Sequence, residues 1–162
     1  MEEHEVNRTV RRLCAGANEM QQVPVLLELA SGQDVNGHPP LIGVCGVATG
    51  TLEGVPGAAE PGGAYIVAIG TDLAYRGHVL EDQVTRPGNA LLDGALRTIE
   101  TMFGGPPMAY IFAKVKPSNT ASKQLFDEHH FDDMGNHGGE HVLLRAPGID
   151  PAARREASWS AP

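Results

Sequence analysis

The residues best suited to chemistry lie where a helix is predicted to begin, at Pro87. Arg86 precedes this proline and Gly88 follows it, ahead of the apolar run 90–92. The first turn of a helix has backbone N–H groups without intrahelical partners and the positive end of the helix dipole. A glycine lets a ligand approach the backbone, and an arginine adds a fork of donors. The pattern predicts an anion site suited to a pyrophosphate; the simpler interpretation is a plain helix start with Arg86 in solvent.

A second segment with helix-capping residues follows the apolar run 108–115. Ser118 and Asn119 are residue types that accept hydrogen bonds from the first N–H groups of a helix. The sequence therefore predicts a helix from Thr120 to about His130. Taken alone, this segment indicates a well-capped structural helix.

Four histidines and three acidic residues are concentrated in the 13 residues 129–141. They are His129, His130, Asp132, Asp133, His137, Glu140 and His141. The spacing of His137 and His141 is one that metal sites use. Because Gly138 and Gly139 separate them, a helix that presents both on one face is not expected. The favoured interpretation is a polar turn between two final strands, and a metal-binding α/β domain that uses this histidine cluster is the weaker alternative.

Alternating helices and strands must position these residues. Apolar residues at helical spacing predict a helix over 5–22 and another over 87–103, the latter with a stripe of Leu91, Ala95, Ile99 and Met102. Strands are predicted over 23–30, 41–52, 64–75 (with a bulge at 70–72), 108–115, 131–134 and 141–144. This order predicts a mixed α/β (α+β) fold, with an N-terminal helix and a mostly antiparallel sheet that contains a central β-α-β-α-β-β section. We expect one domain over 1–146 and a mobile tail over 147–162.

Composition excludes several classes of function. The 162-residue chain has 12 Lys and Arg against 20 Asp and Glu, a formal net charge of −8. This balance argues against nucleic-acid binding through a broad basic face and against anchoring to anionic lipid. Two cysteines, Cys14 and Cys45, are too few for a disulfide framework, and Cys45 is interpreted as a small buried hydrophobe. No signal-peptide core or membrane-length apolar run is found, so we expect a soluble cytoplasmic protein without nucleic-acid or membrane partners.

The first helix start resembles the GNAT superfamily of acyl-CoA-dependent N-acetyltransferases. In that family a strand leads into a loop of the pattern [Gln/Arg]-x-x-Gly-x-[Gly/Ala], and a helix with leucines follows. The segment 83–92 (QVTRPGNALL) fits with Gln83 first and Gly88 last, and Arg86 then replaces the first glycine. A second register puts Thr85 first, Gly88 as the first glycine and Ala90 last.

The second helix start extends the resemblance, which covers about residues 41–146. The family has a further strand and then an Asn that starts a helix ending in Gly-Phe. Asn119, Ser122 and Phe126 match this pattern, as do Ala121 and Leu125, whereas His130-Phe131 stands in place of Gly-Phe.

The resemblance implies acetyl-CoA, or another acyl-CoA, as the donor substrate, with no metal. The pyrophosphate would bind the backbone amides of 86–90, and the pantetheine arm would pair with the end of the strand near 73–75. Asn119 and Ser122 would approach the cofactor from the other side. The residues assigned to the cofactor are therefore Leu73, Ala74, Tyr75, Gln83, Thr85, Arg86, Pro87, Gly88, Asn89, Ala90, Asn119 and Ser122.

The resemblance implies direct transfer to a primary amine, which must lose a proton before it attacks. Many family members protonate the leaving thiolate with a Tyr on the second helix, and Phe126 occupies that place here. Solvent, Ser122 or Tyr110 could substitute. Asp72 and His78 are the candidate general bases, because both lie near the predicted strand end and histidine changes protonation near neutral pH. A turn for Asp72 and a solvated loop for His78 are the simpler interpretations.

The sequence thus favours a GNAT-type N-acetyltransferase whose partners are an acyl-CoA and an amine acceptor of unknown identity. A GNAT-like domain that binds CoA or regulates, with little transfer, is the alternative, since the tyrosine is missing and the loop departs from the pattern. The N-terminal helix could serve a homodimer contact.

Overall fold

The described part of the chain contains six strands, two α-helices and one 3₁₀ helix. The structure is a computed structural model and describes residues 23–28, 37, 40–55, 62–75, 79–80, 85–103 and 109–145. The elements are β1 (Val23–Glu28), β2 (Leu41–Gly50), β3 (Gly63–Thr71), a 3₁₀ helix (Leu73–Tyr75), α1 (Pro87–Phe103), β4 (Tyr110–Val115), α2 (Thr120–Asp127), β5 (Asp132–His137) and β6 (Glu140–Arg145). The helix predicted over 5–22 and the tail predicted over 147–162 lie outside the described residues.

The six strands form one mixed sheet in the order β1-β2-β3-β4-β6-β5. The pairs β1–β2, β4–β6 and β5–β6 are antiparallel, and β3–β4 is parallel. The parallel pair requires a crossover, which α1 supplies between β3 and β4. The predicted mixed, mostly antiparallel α/β fold is confirmed.

By compactness the chain divides into two units. The first consists of residues 1–48 and 67–95, and the second of residues 49–66 and 96–162. The division passes through β2, β3 and α1. The single domain expected over 1–146 stays a prediction.

In the first unit, an antiparallel pair packs under the first half of α1. β1 pairs with β2 from Val23 opposite Val47 to Glu28 opposite Leu41. A side chain at Gly43 of β2 would place its Cβ 3.1 Å from Cδ2 of Leu91, so the glycine allows α1 to approach the strand closely. Burial of Leu91 and similar residues supplies the main driving force for this packing. The core residues of this unit are Ile42, Val44, Cys45, Val47, Ala48, Leu91, Leu92 and Ala95.

In the second unit, β4 is the central strand. It pairs with β3 from Gly63–Tyr110 to Ile66–Ala113, and with β6 from Ile111–Arg145 to Val115–His141. The rings of Tyr65 and Phe112 stack with centroids 4.7 Å apart. The buried Arg145 donates from Nη1 to the carbonyl of His129 at 3.1 Å, which ties the turn after α2 to β6.

Several elements depart from the sequence predictions; the strands predicted over 41–52, 131–134 and 141–144, for example, are observed as Leu41–Gly50, Asp132–His137 and Glu140–Arg145. The strand predicted over 64–75 ends at Thr71, because Asp72 starts a 3₁₀ turn through Leu73–Tyr75. α2 ends at Asp127 rather than near His130, which has φ 63° in the turn that follows. The stripe on α1 is confirmed at Leu91, Ala95 and Ile99, but Met102 is 55% exposed.

Candidate functional site

The C-terminal half of β3 continues beyond its parallel partner. The ladder to β4 ends at Ile66 and Ala113; beyond it β3 runs five residues further, to Thr71, and β4 only two, to Val115. Backbone groups of a strand that extends past its neighbour are available for pairing with another extended chain. This part of β3 belongs to the first unit.

Asp72 ends the strand with a turn of its own. Its Oδ1 accepts a hydrogen bond from the Ala74 N–H at 2.8 Å, and its carbonyl accepts from the Tyr75 N–H at 3.0 Å. Its own N–H donates to the Ile42 carbonyl of β2 at 2.8 Å. The turn interpretation of Asp72 is therefore confirmed, and its carboxylate serves the 3₁₀ helix in this structure.

The start of α1 combines a proline, a glycine and an exposed cation. Pro87 is buried and is the first residue of the helix, where its missing N–H costs nothing. Arg86 is exposed, and its carbonyl accepts from the Ala90 N–H at 3.0 Å. Arginine has donors and no acceptor in its side chain, so Arg86 cannot cap the helix. The first N–H groups of α1 are those of Gly88 and Asn89.

The start of α2 is closed by its own chain. Asn119 is the N-cap, and its Oδ1 accepts from the Ser122 N–H at 3.1 Å. The Lys123 N–H donates to the Asn119 carbonyl at 3.2 Å. The capping role predicted for Asn119 is confirmed. Of its side-chain groups, Nδ2 could donate to a ligand while the cap is kept.

Phe126 is a core residue of the second unit. It is 2% exposed, and its ring meets that of Phe131 edge to face with centroids 4.9 Å apart. The ring of Phe126 is therefore used in core packing, and it carries no hydroxyl.

The histidines near the C-terminal end of the described chain bind separate partners. His129 is buried with Nδ1 2.9 Å from the Leu125 carbonyl, and His137 has Nε2 3.0 Å from the Met134 carbonyl. His141 instead contacts the carboxylate of Asp133. Within the described residues, no three His, Cys, Asp or Glu side chains form a group that could hold a metal ion. The structure thus gives no support to the metal-binding alternative.

Asp133 lies at the centre of a polar cluster between α2, β5 and β6. His141 Nδ1 is 3.0 Å from Oδ1 and 2.9 Å from Oδ2 of Asp133, and Lys123 Nζ is 3.3 Å from Oδ2. Burial by itself would raise the pKa of Asp133, but hydrogen bonds from the Gly135 N–H, His141 and Lys123 and the charge of His141 together hold the pKa below its ordinary value. The cluster therefore keeps this carboxylate ionised.

Cys45 is a second titratable group with a displaced pKa. It lies fully buried on β2, and burial raises the pKa of its thiol to about 12. A thiol with such a pKa is not a nucleophile at neutral pH. The interpretation of Cys45 as a small buried hydrophobe is confirmed.

The structure describes most, but not all, of the predicted site residues. Asp72, Leu73–Tyr75 and the residues 85–90 belong to the first unit, and Asn119 and Ser122 belong to the second. Gln83 and His78 lie outside the described residues. The roles assigned to all of these residues stay predictions.

Sequence reasoning missed the cluster of Lys123, Asp133 and His141. The sequence places Asp133 and His141 in one dense region of histidines and acids, but it does not connect them with Lys123 on the neighbouring helix. Regular alternation would not have found this contact, because His141 lies opposite Asn136 and the register shifts between Asn136 and Asp133, which lies opposite Leu143.

Comparisons with known proteins support the fold. No protein-family model and no curated protein matches the sequence. Among solved structures, a mutant of the toxin AtaT bound to the C-terminus of the antitoxin AtaR and acetyl-CoA matches with a TM-score of 0.61 at 10% identity, over 96% of this chain and 84% of that one. NAA60 of Arabidopsis thaliana in complex with a bisubstrate analogue matches with a TM-score of 0.54 at 13% identity, over 77% and 76% of the two chains. The KacTA–DNA complex matches with a TM-score of 0.54 at 12% identity, over 93% and 86%. At these identities the likeness is one of fold.

None of the helices in the described segments is long and apolar enough to cross a membrane.

Proposed function

We propose that this chain, whose fold is that of the GNAT acyltransferases, transfers an acyl group from an acyl-CoA to a primary amine. Acetyl-CoA is the first donor to test. Two neighbours in fold support this choice, because one was solved with acetyl-CoA and another with a bisubstrate analogue.

The observation that carries the proposal is the start of α1. The backbone N–H groups of Gly88 and Asn89 lie at the positive end of a 17-residue helix. Arg86 adds a cation that is exposed and unable to cap. A diphosphate supplies the negative charge and the acceptor oxygens that such a helix start favours.

The extension of β3 supports the placement of the rest of the donor. The pantetheine arm of CoA contains two amides in an extended chain, so it can pair with a strand as a peptide does. Residues 67–71 are the part of β3 beyond the ladder to β4, and the turn of Asp72 follows them. We therefore move the predicted pairing from residues 73–75, which are helical, to the end of the strand itself.

The acceptor is proposed only as an amine. The acidic composition, with a net charge of −8, suits the approach of a cationic acceptor and disfavours a nucleic acid. A neighbour in fold was solved as a complex with DNA, so the absence of a nucleic-acid partner stays a prediction, as do a homodimer and a cytoplasmic location.

The second candidate function is CoA binding without efficient transfer. It is favoured by one observation, the replacement of a tyrosine by the buried Phe126. In this case the chain would bind the donor at the same helix start, and no residue of α2 would protonate the leaving thiolate.

Calorimetry with acetyl-CoA, followed by a thiol-release assay over a panel of amines, tests both candidates. Transfer predicts saturable binding and release of CoA that depends on the amine. Binding without release on any amine favours the second candidate. Failure to bind acetyl-CoA, or any other acyl-CoA, contradicts both.

A further inference from the structure

β1 is an end strand of the sheet and offers a backbone edge to a further strand. Among the described strands it has one neighbour, β2, with which it pairs from Val23 opposite Val47 to Glu28 opposite Leu41. On the outer side of an end strand, every second residue presents its N–H and C=O groups to whatever lies there. Proteins usually block such an edge with charged residues, bulges or prolines, because an open edge pairs with other chains.

The end strand of the second unit, β5, is blocked in this way. It begins with Asp132 and Asp133, and its pairing with β6 becomes irregular beyond Asp133. Gly135 in its middle has φ 86°, a conformation that interrupts an extended strand. By contrast, β1 is regularly paired up to Leu27, and its one charged residue is Glu28 at its end. Of these two strands, only β1 is suited to accept another strand.

Pro24 indicates which residues of β1 direct their backbone groups outward. Proline has no N–H, so it fits an antiparallel ladder where its nitrogen points away from the neighbouring strand. Because backbone groups alternate in direction along a strand, those of Leu26 and Glu28 point outward together with those of Pro24. The proline removes one donor from this edge and leaves its own carbonyl and the N–H and C=O groups of Leu26 and Glu28.

Leu26 adds an exposed apolar side chain beside this edge. It is 54% exposed, although it lies in the middle of a paired strand. Glu28, two residues further on the same face, is opposite Leu41 of β2, which is 37% exposed. Opposite residues of an antiparallel pair share a face, so Leu26 and Leu41 lie diagonally on one face of the pair. The edge of β1 therefore combines free backbone groups with apolar surface.

We propose that β1 pairs antiparallel with β1 of a second copy of this chain, with Leu26 opposite Leu26 across a twofold axis. In this register the two Leu26 residues exchange backbone hydrogen bonds, and their side chains cover each other on one face. Glu28 lies opposite Pro24 of the second copy, so its N–H donates to the Pro24 carbonyl and the two carboxylates stay apart. The strand is thus complementary to itself in donors, acceptors and charge.

The dimer is expected to be weak and to depend on salt. A single strand pair buries little area, and each copy carries a net charge of −8, so the Kd should lie in the micromolar range. Added salt should strengthen the dimer, because it screens the repulsion between two acidic chains. The contact lies within the first unit and does not depend on the proposed acyl transfer.

Sedimentation of the full chain, from about 1 μM to about 1 mM, tests the pairing. The wild type should show a reversible equilibrium between monomer and dimer. Leu26→Glu and Leu26→Lys each place two like charges opposite one another, so each variant alone should raise the Kd at least about 10-fold. Mixed in equal amounts, the two variants should associate again as a heterodimer, because opposite charges then meet at the axis.

Met102→Glu is the matched control, because Met102 is an apolar residue of α1 with nearly the same exposure, 55%. It should dimerise as the wild type does, and thermal unfolding should show that all variants keep their fold. A wild type that stays monomeric throughout overturns the proposal, and so does a dimer that persists unchanged in Leu26→Glu. If both Leu26 variants are monomeric and their mixture also stays monomeric, Leu26 does not pair with itself and the proposed register is wrong.

Discussion

The two α-helices begin with different residue types. α2 is closed at its start by its own chain, since Asn119 accepts from Ser122 and Lys123 is paired with Asp133. α1 begins with Pro87, and the residue in front of it, Arg86, brings a cation that cannot accept a hydrogen bond. One start is capped by a side chain of its own, and the other carries an exposed positive charge.

We infer from this difference that the start of α2 has mainly a structural role and that the start of α1 binds a ligand. A helix start flanked by a cation and a glycine is suited to an anionic ligand, whereas at α2 the side chain of Asn119 already accepts from one of the first N–H groups. We therefore place the pyrophosphate at α1 and expect α2 to contribute at most side-chain contacts to the donor. The following predictions test this contrast, beginning with the largest expected effect.

Bulk at the start of α1 should remove donor binding. Gly88 is the second residue of the helix, so Gly88→Trp would place an indole where the diphosphate is proposed to bind. We expect acetyl-CoA affinity to fall by about 100-fold or more, equivalent to about 2.7 kcal/mol. The control Gly88→Ala adds one methyl group and should retain most of the affinity. Unchanged calorimetry for Gly88→Trp would refute the placement.

Reversal of the charge at Arg86 should weaken acetyl-CoA binding less than the bulky substitution Gly88→Trp does. A hydrogen bond to a charged group contributes about 1.5–3 kcal/mol, so Arg86→Glu should lower acetyl-CoA affinity by at least about 10-fold. Arg97→Glu is the matched control, because Arg97 is also exposed on α1 but lies well inside the helix. Equal losses for both variants would indicate a general charge effect rather than a site at the helix start.

Removal of the cap at α2 should affect stability more than binding. Asn119→Ala should lower the free energy of unfolding by about 1 kcal/mol, and Asn119→Ser should restore most of it. Acetyl-CoA affinity should change less than in Arg86→Glu. If Asn119→Ala instead abolishes binding without loss of stability, Asn119 is primarily a ligand-binding residue and the contrast between the two helices is wrong.

The contacts of Asp133 with Lys123 and His141 should make the free energy of unfolding depend slightly on pH in the acid range. The pKa of Asp133 is lower in the folded chain than the ordinary value of 3.8. The stabilisation from this carboxylate is therefore complete above pH 3.8 and is lost as the pH falls through the pKa of the folded state. Urea unfolding between pH 5 and 3 should thus show a steeper loss of stability in the wild type than in Asp133→Asn. Equal slopes would mean that the carboxylate gains nothing from Lys123 and His141 on folding.

Local signals made much of the fold predictable from sequence. Pro87 with the spacing of Leu91, Ala95 and Ile99 predicted α1, and Asn119 predicted the start of α2. Such patterns depend on neighbouring residues and on the periods of helices and strands. The strand over 64–75 was extended too far because the side-chain hydrogen bond of Asp72 that ends it has a weak sequence signature.

Contacts between distant residues could not be predicted. The burial of Arg145 against the carbonyl of His129 and the meeting of Lys123 with Asp133 and His141 depend on strand register. A shift of one residue would turn these side chains to the other face of the sheet. For the same reason, the sequence did not separate His141, which contacts Asp133, from the other histidines of its cluster.

The most direct measurement of the central claim is the NMR spectrum of the backbone amides during titration with acetyl-CoA. The account predicts that the amides of Gly88 and Asn89 shift strongly, whereas that of Ala90, already bonded to the Arg86 carbonyl, shifts less. The amide of Ser122, already bonded to Asn119, should change much less. Binding of acetyl-CoA without any response at Gly88 and Asn89, or with its largest response at the start of α2, would contradict the account.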